Sequence, residues 1–257
     1  MKKILISFAN EKWYQSQYLL SKSAKRYGFD GYINYTEKNL DKKFIENNPS
    51  IFKDLKRGYG FWAWKSFIIR DALDMVNDGD IIFYVDSGNL IVNDVAPLFS
   101  IITKYDIALF VNRDGNYEGK IHHNSRWTKR DCFVLMDCDE EKYYTANQIN
   151  GSYIGIMKTN KTINLMDEYL KFSQNANIIT DVPNITKENL KDFEDHRHDQ
   201  SILSLLAKKH NIDLSPDPSE WGNNYPRNYN QIFMHHRNML FWPQNKQYLD
   251  NILKSYE

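Results

Sequence analysis

Apolar residues along this chain fall into short dense runs separated by stretches with helical spacing. Lys3–Ala9 (KILISFA) is an apolar run of strand length, and residues 15–27 follow with Tyr18, Leu19, Leu20 and Ala24 at helical spacing before Gly28. A strand, a loop and a helix are predicted in that order. Residues 32–35 predict a second strand, and 67–76 a helix that stops at Asn77-Asp78-Gly79-Asp80, a strong turn signal. Ile81–Val85 (IIFYV) then reads as a buried strand, 106–111 and 153–157 as further strands, and 162–173 and 199–209 as helices. This alternation predicts an α/β fold with a mainly parallel central sheet flanked by helices. Residues 112–150 lack clean periodicity, so long loops or an antiparallel edge are expected there. No internal repeat, low-complexity tract or linker breaks the pattern, and 257 residues suit a single domain.

Charge narrows the function classes. Thirty-three Lys and Arg balance 33 Asp and Glu, so no global field favours nucleic acid as a partner. Residues are 42% hydrophobic and 26% charged, and no window approaches the roughly 18 apolar residues of a membrane span. A soluble protein with at most peripheral membrane contact is expected. MKKILISFAN carries too short an apolar stretch for a signal peptide and reads as the first strand. Cys132 and Cys138 have no further cysteine with which to build a framework or a four-sulfur zinc site, which suits a reduced, cytoplasmic setting. Aromatics reach 14%, enough either to stack on sugars and bases or to fill the core.

The sharpest local feature is Tyr84-Val85-Asp86-Ser87-Gly88, a carboxylate directly after a buried strand with a glycine behind it that permits close approach. Ligands of open α/β sheets sit at this carboxyl end. Releasing a nucleoside diphosphate from a sugar requires its charge to be neutralised, which an oxygen-ligated Mn²⁺ or Mg²⁺ can do. Asp86 is therefore a candidate ligand, or else a turn aspartate capping the next element. Asp199-Gln200 opens a helix with apolar Ile202, Leu203, Leu205 and Leu206, so Asp199 either caps amides or faces a cleft. Arg57 and Lys65 suit a pyrophosphate, or are surface charges beside an aromatic cluster. Residues 118–131, with His122, His123, Arg126, Trp127, Lys129 and Arg130, are locally basic. They could dock an acidic or lipid-diphosphate acceptor or form a solvated loop. His196-Arg197-His198-Asp199 lacks the ligand set of a zinc site. Glycine-rich phosphate loops are absent, which removes P-loop enzymes and ordinary dinucleotide oxidoreductases from first place.

Arg57-Gly58-Tyr59-Gly60-Phe61-Trp62-Ala63-Trp64-Lys65 is similar to an R-G-x-G-x-W-x-W-K signature that precedes a helix and an Asp-Ser/Ala-Gly strand end. That signature belongs to bacterial GT-A-fold glycosyltransferases of surface polysaccharide (capsule or lipopolysaccharide) synthesis. Trp127-Thr128-Lys129-Arg130-Asp131, residues 148–151 and His196-Arg197-His198-Asp199-Gln200-Ser201 continue the resemblance in the same order, across 4–236. It implies a GT-A, Rossmann-like fold whose nucleotide-sugar half is about 1–111 and whose acceptor half is about 112–257. It implies Asn10, Lys12, Arg57, Trp64, Lys65, Asp86, Ser87 and Arg113 on the donor, with Trp64 the indole that touches it. Asp199 and Gln200 fall at the reacting centre, and Trp127, Lys129 and His198 on the acceptor. The donor would be a UDP-sugar, and the acceptor a glycan or lipid-linked oligosaccharide met in the cytoplasm at the inner face of the membrane. Gly88 stands where Asp-x-Asp has its second aspartate. His235 or His236, in Phe233-Met234-His235-His236-Arg237, resembles the late histidine that family 8 lipopolysaccharide galactosyltransferases use as a metal ligand, and imidazole suits Mn²⁺ better than Mg²⁺. Rival readings are a sugar nucleotidyltransferase, which would need a basic glycine-rich loop after the first strand, and a carbohydrate-binding or inactive homologue.

Overall fold

The computed structural model describes residues 1–112, 122–236 and 254. The first apolar run forms β1 (Lys3–Ala9), and the helical stretch after it forms α1 (Tyr14–Arg26). They are followed by β2 (Gly31–Thr36), α2 (Trp64–Asp74), β3 (Ile81–Val85), β4 (Asn89–Ile91), α3 (Ala96–Tyr105) and β5 (Ile107–Val111). Then come β6 (Ile149–Met157), α4 (Asn160–Ser173), α5 (His198–Lys209), β7 (Leu214–Ser215) and β8 (Phe233–His235). A six-stranded sheet has the order β2-β1-β3-β6-β5-β7, and β4 pairs with β8 in a separate two-stranded ribbon.

Alternation along the strands divides the core into two layers. On β3, Ile82 and Tyr84 join the layer under α2, α4 and α5, while Ile81, Phe83 and Val85 join the layer under α1 and α3. Every residue of β3 is buried, as expected for a strand covered on both faces. The sheet is mainly parallel, as the α/β alternation predicts, except that β6 runs antiparallel to both β3 and β5. That reversal shapes the site: the start of β6 lies beside the end of β3, with Val85 opposite Tyr153.

Periodicity missed two features. β6 begins at Ile149, four residues before the predicted strand, because its first turns carry Asn150, Gly151 and Ser152, polar or small residues that are nevertheless buried. Segment 122–148 holds three short helices, at Asn124–Trp127, Arg130–Leu135 and Glu141–Tyr144, with only an isolated antiparallel bridge between His123 and Asn147 among its described residues. Cys132 and Cys138 are free and buried. No described helix is long and apolar enough to cross a membrane.

Candidate functional site

Two adjoining cavities open at the carboxyl ends of β1 and β3. The first, about 360 Å³, is lined by Asn10 and Lys12 past β1, by Lys56, Tyr59, Trp62 and Trp64, and by Asp86, Ser87 and Gly88 past β3. The second, about 300 Å³, has Arg57, Trp62, Lys65 and Asp86 on one side and Asn150, Ser152, His198, Asp199, Gln200, Trp221 and His235 on the other. Asp86 and Trp62 belong to both. The sequence-predicted donor residues thus divide: Asn10, Lys12, Trp64 and Ser87 face the first cavity, Arg57 and Lys65 the second.

A buried lysine stands at the junction. Lys65 is 3% exposed, with its Nζ 2.7 Å from Asp199 Oδ2, 3.6 Å from Asp86 Oδ1 and donating to the Gly151 carbonyl at 3.0 Å. Burial works against the ammonium, but the charges of Asp199 and Asp86 outweigh it and raise its pKa. Two carboxylates share this one cation. Burial pushes the Asp199 carboxyl up to about 6 against the pull of Lys65, with the Asp86 charge adding to the rise. Asp86 is held further by Tyr84 Oη, which donates at 2.5 Å, and Ser152 Oγ, which donates at 2.9 Å. Gln200 accepts from the Gly151 amide and donates to Gln148 Oε1, locking the start of α5 to the start of β6.

The segment between the cavities has unusual backbone. Gly58, Tyr59, Gly60, Phe61 and Trp62 all have positive φ (58°, 53°, 87°, 55° and 58°), a left-handed turn that costs about 1–2 kcal/mol at each non-glycine residue. Packing offsets this cost. Trp62 stacks on His198 with ring centroids 5.4 Å apart, Tyr59 packs on Phe8 and Phe52, and Trp64 stacks on Phe8 at 4.0 Å while its Nε1 donates to the Gly58 carbonyl. Arg57 ties the turn to the α5 side through Asp195, both of whose oxygens lie 3.0 Å from its Nη2, and through His198 Nε2 at 2.8 Å. Burial pulls the His198 imidazole down to about 4, so it is neutral and accepts from Arg57. A Cβ on Gly58 would lie 2.3 Å from the Trp62 ring. Gly58→Ala is therefore expected to displace Trp62 from both cavities and destabilise the fold by about 2–4 kcal/mol, combining overpacking with a lost left-handed glycine; a denaturant melt checks it.

Other predicted residues lie elsewhere. Trp127 is 3% exposed and stacked on His122, and Lys129 is 4% exposed with its Nζ donating to the Thr180 and Val182 carbonyls. Neither lines either cavity. The basic run they belong to is paired internally as well, Arg126 with Glu194 and Arg130 with Asp139. Arg113 lies outside the described residues. His236 is buried and lines neither cavity, its backbone amide donating to the Gly88 carbonyl.

His235 does face the second cavity together with Asp86. Its Nδ1 is 3.2 Å from Glu220 Oε1, which can only accept, so Nδ1 carries a proton, and its Nε2 lies 3.4 Å from Tyr153 Oη. A carboxylate behind an imidazole is the usual support of a metal-ligating histidine, and carboxylate with imidazole suits Mn²⁺. Among the described residues no three His, Cys, Asp or Glu side chains converge on one point. Glu220, Trp221 and Ser152 carried no sequence signal: their roles depend on β8 pairing with β4 and on β6 lying beside β3.

No protein-family model matches this chain. No curated protein is significantly similar to it in sequence. Among solved structures, mouse xyloside xylosyltransferase 1 in its apo form superposes with a TM-score of 0.52 over 93% of this chain and 98% of its own, at 9% identity. The apo glycosyltransferase GlyE of Streptococcus pneumoniae TIGR4 covers 92% of this chain and 54% of its own at 14% identity, with a TM-score of 0.43. At such identities the likeness is one of architecture: the chain has the GT-A fold of glycosyltransferases.

Proposed function

We propose that this protein is a glycosyltransferase that moves a hexosyl group from a nucleoside-diphosphate sugar, a UDP-sugar, to a glycan or lipid-linked saccharide in cell-surface polysaccharide synthesis. The observation that carries the reading is the junction of the two cavities at Asp86, with the Lys65–Asp199 pair beside it. One cavity takes the nucleotide against Trp64, Tyr59 and Lys12, and the other takes the acceptor, so the transferred sugar lies between them. A divalent cation, where bound, neutralises the departing diphosphate, and Asp86 and His235 would hold it. The chain's own part is to fix geometry and charge. Lys65 holds Asp199 and Asp86 apart at set distances, and Asp199 faces the sugar or receives the acceptor hydroxyl's proton.

Two protein ligands make metal and nucleotide binding mutually dependent. UDP with Mn²⁺ is expected to raise the melting temperature by several degrees, with a much smaller rise from Mn²⁺ alone, and Asp86→Ala should remove the joint effect. Absence of a shift with any nucleoside diphosphate or nucleotide sugar, with or without Mn²⁺, would overturn the proposal.

A further inference from the structure

The second cavity contains positive residues, yet each of its described Lys and Arg side chains is already paired with a carboxylate. Arg57 is bound by Asp195 at 3.0 Å and Asp181 at 3.2 Å, Arg197 by Asp195 at 3.5 Å, and Lys65 by Asp199 and Asp86. Three cations thus face four carboxylates, Asp86, Asp181, Asp195 and Asp199. Burial holds the histidines 196 and 198 well below their ordinary pKa, so both rings are neutral and add no positive charge.

The polar atoms of the wall lean towards accepting hydrogen bonds. Asp86 and Asp199 are carboxylates. Two of its amides donate within the protein: Asn150 Nδ2 to Asp217 at 2.8 Å and Gln200 Nε2 to Gln148 at 2.7 Å. With the donor's diphosphate balancing a cation held at Asp86 and His235, a carboxylate or phosphate brings only further acceptors and negative charge, and is repelled by such a wall. An unmodified sugar brings hydroxyl donors, which the wall can accept.

An apolar plate completes the site. Trp221 lines the cavity half-buried, with its ring centroid 6.0 Å from that of His235. Its backbone is set on both sides: its amide donates to Ser219 Oγ at 3.3 Å, and a Cβ on the following Gly222 would lie 2.1 Å from the Asp217 carbonyl oxygen, so only glycine fits there. Glu220 anchors the same turn to β8 by accepting from the His235 amide at 3.1 Å. The turn that carries the indole is set before any ligand arrives, which favours stacking on a pyranose C–H face.

Resting on the transferase reading, we infer that the acceptor terminus bound in the second cavity is an uncharged, unmodified sugar, with Trp221 as its positioning and specificity residue. Uronates, sugar phosphates and the diphosphate of a lipid carrier are excluded from this subsite; a lipid carrier's charge lies beyond it, outside the cavity.

The test is saturation-transfer NMR with UDP present, comparing methyl glucoside, galactoside, mannoside and xyloside with methyl glucuronide and glucose 6-phosphate. At least one neutral glycoside is expected to bind at least tenfold more tightly than either anion. Trp221→Ala should weaken it at least tenfold, Trp221→Phe should restore most of the affinity, and the UDP-dependent thermal shift should be unchanged in both. Binding of an anion as tight as that of the best glycoside, no binding by any neutral glycoside, or an unaltered Trp221→Ala overturns the inference. These outcomes differ from failure of the transferase reading, in which UDP gives no thermal shift to the wild-type protein at all.

Discussion

Lys65→Met is expected to reduce transfer by roughly 10²–10³-fold, the scale on which removing one preorganised charge acts, and to destabilise the protein by about 3–5 kcal/mol at pH 7.5, as breaking a buried ion pair does. The reason lies in the geometry: Asp199 at 2.7 Å and Asp86 at 3.6 Å would face each other across a buried space without their shared cation. Methionine fills the volume but not the charge. The destabilisation should shrink towards pH 5, because Asp199, already raised to about 6 beside Lys65, would then take a proton readily. Urea melts at the two pH values, with transfer assays on the same preparations, check this. A loss of stability independent of pH would mean that packing, not charge, is the larger part of the lysine's role.

Asp199→Asn removes the same pair from the other end, with a different pH signature. The carboxyl of Asp199 is raised by burial to about 6 in the folded state, against about 3.9 when exposed in an unfolded chain. The folded state therefore binds this proton more tightly. The group is neutral and carries no ionisation penalty below pH 4, and the penalty grows as pH rises until it is complete above about 6, amounting to about 3 kcal/mol. Wild type minus Asp199→Asn should accordingly show a stability difference that favours wild type more at pH 4 than at pH 7, by up to that amount. Transfer should fall by roughly 10²–10⁴-fold in the variant, the range for losing a positioned acid or base. The wild-type rate should decline below about pH 6 as Asp199 protonates. A wild-type pH profile flat between 5 and 8 would remove Asp199 from any role that requires its charge.

Much of the sheet was legible along the chain. The β1 and β3 runs were read with their observed limits, and α1, α4 and α5 lie within a few residues of their predicted spans, because each has a long apolar pattern against one core layer. Asp86 was legible too, since a carboxylate after a buried strand must emerge at a sheet end. The basic run near Trp127 was harder to read: exposure and burial of Lys129 look identical in sequence, and the carbonyls of Thr180 and Val182 that hold it come from a distant segment. The left-handed turn left a trace only in Gly58 and Gly60, since nothing local requires Tyr59, Phe61 and Trp62 to adopt positive φ.

By itself the sequence determined the layered α/β architecture, the strand ends and the residues with chemistry to offer, because hydrophobic periodicity and strand termini are local properties of the chain. Tertiary structure decided which of those residues meet. Antiparallel insertion of β6 brings Ser152 to Asp86, docking of α5 brings Asp199 to Lys65, and the β4–β8 ribbon brings His235 and Trp221 to the second cavity. Each of those contacts joins segments far apart in the chain, and the packing of whole elements sets their distances, which no local spacing can encode.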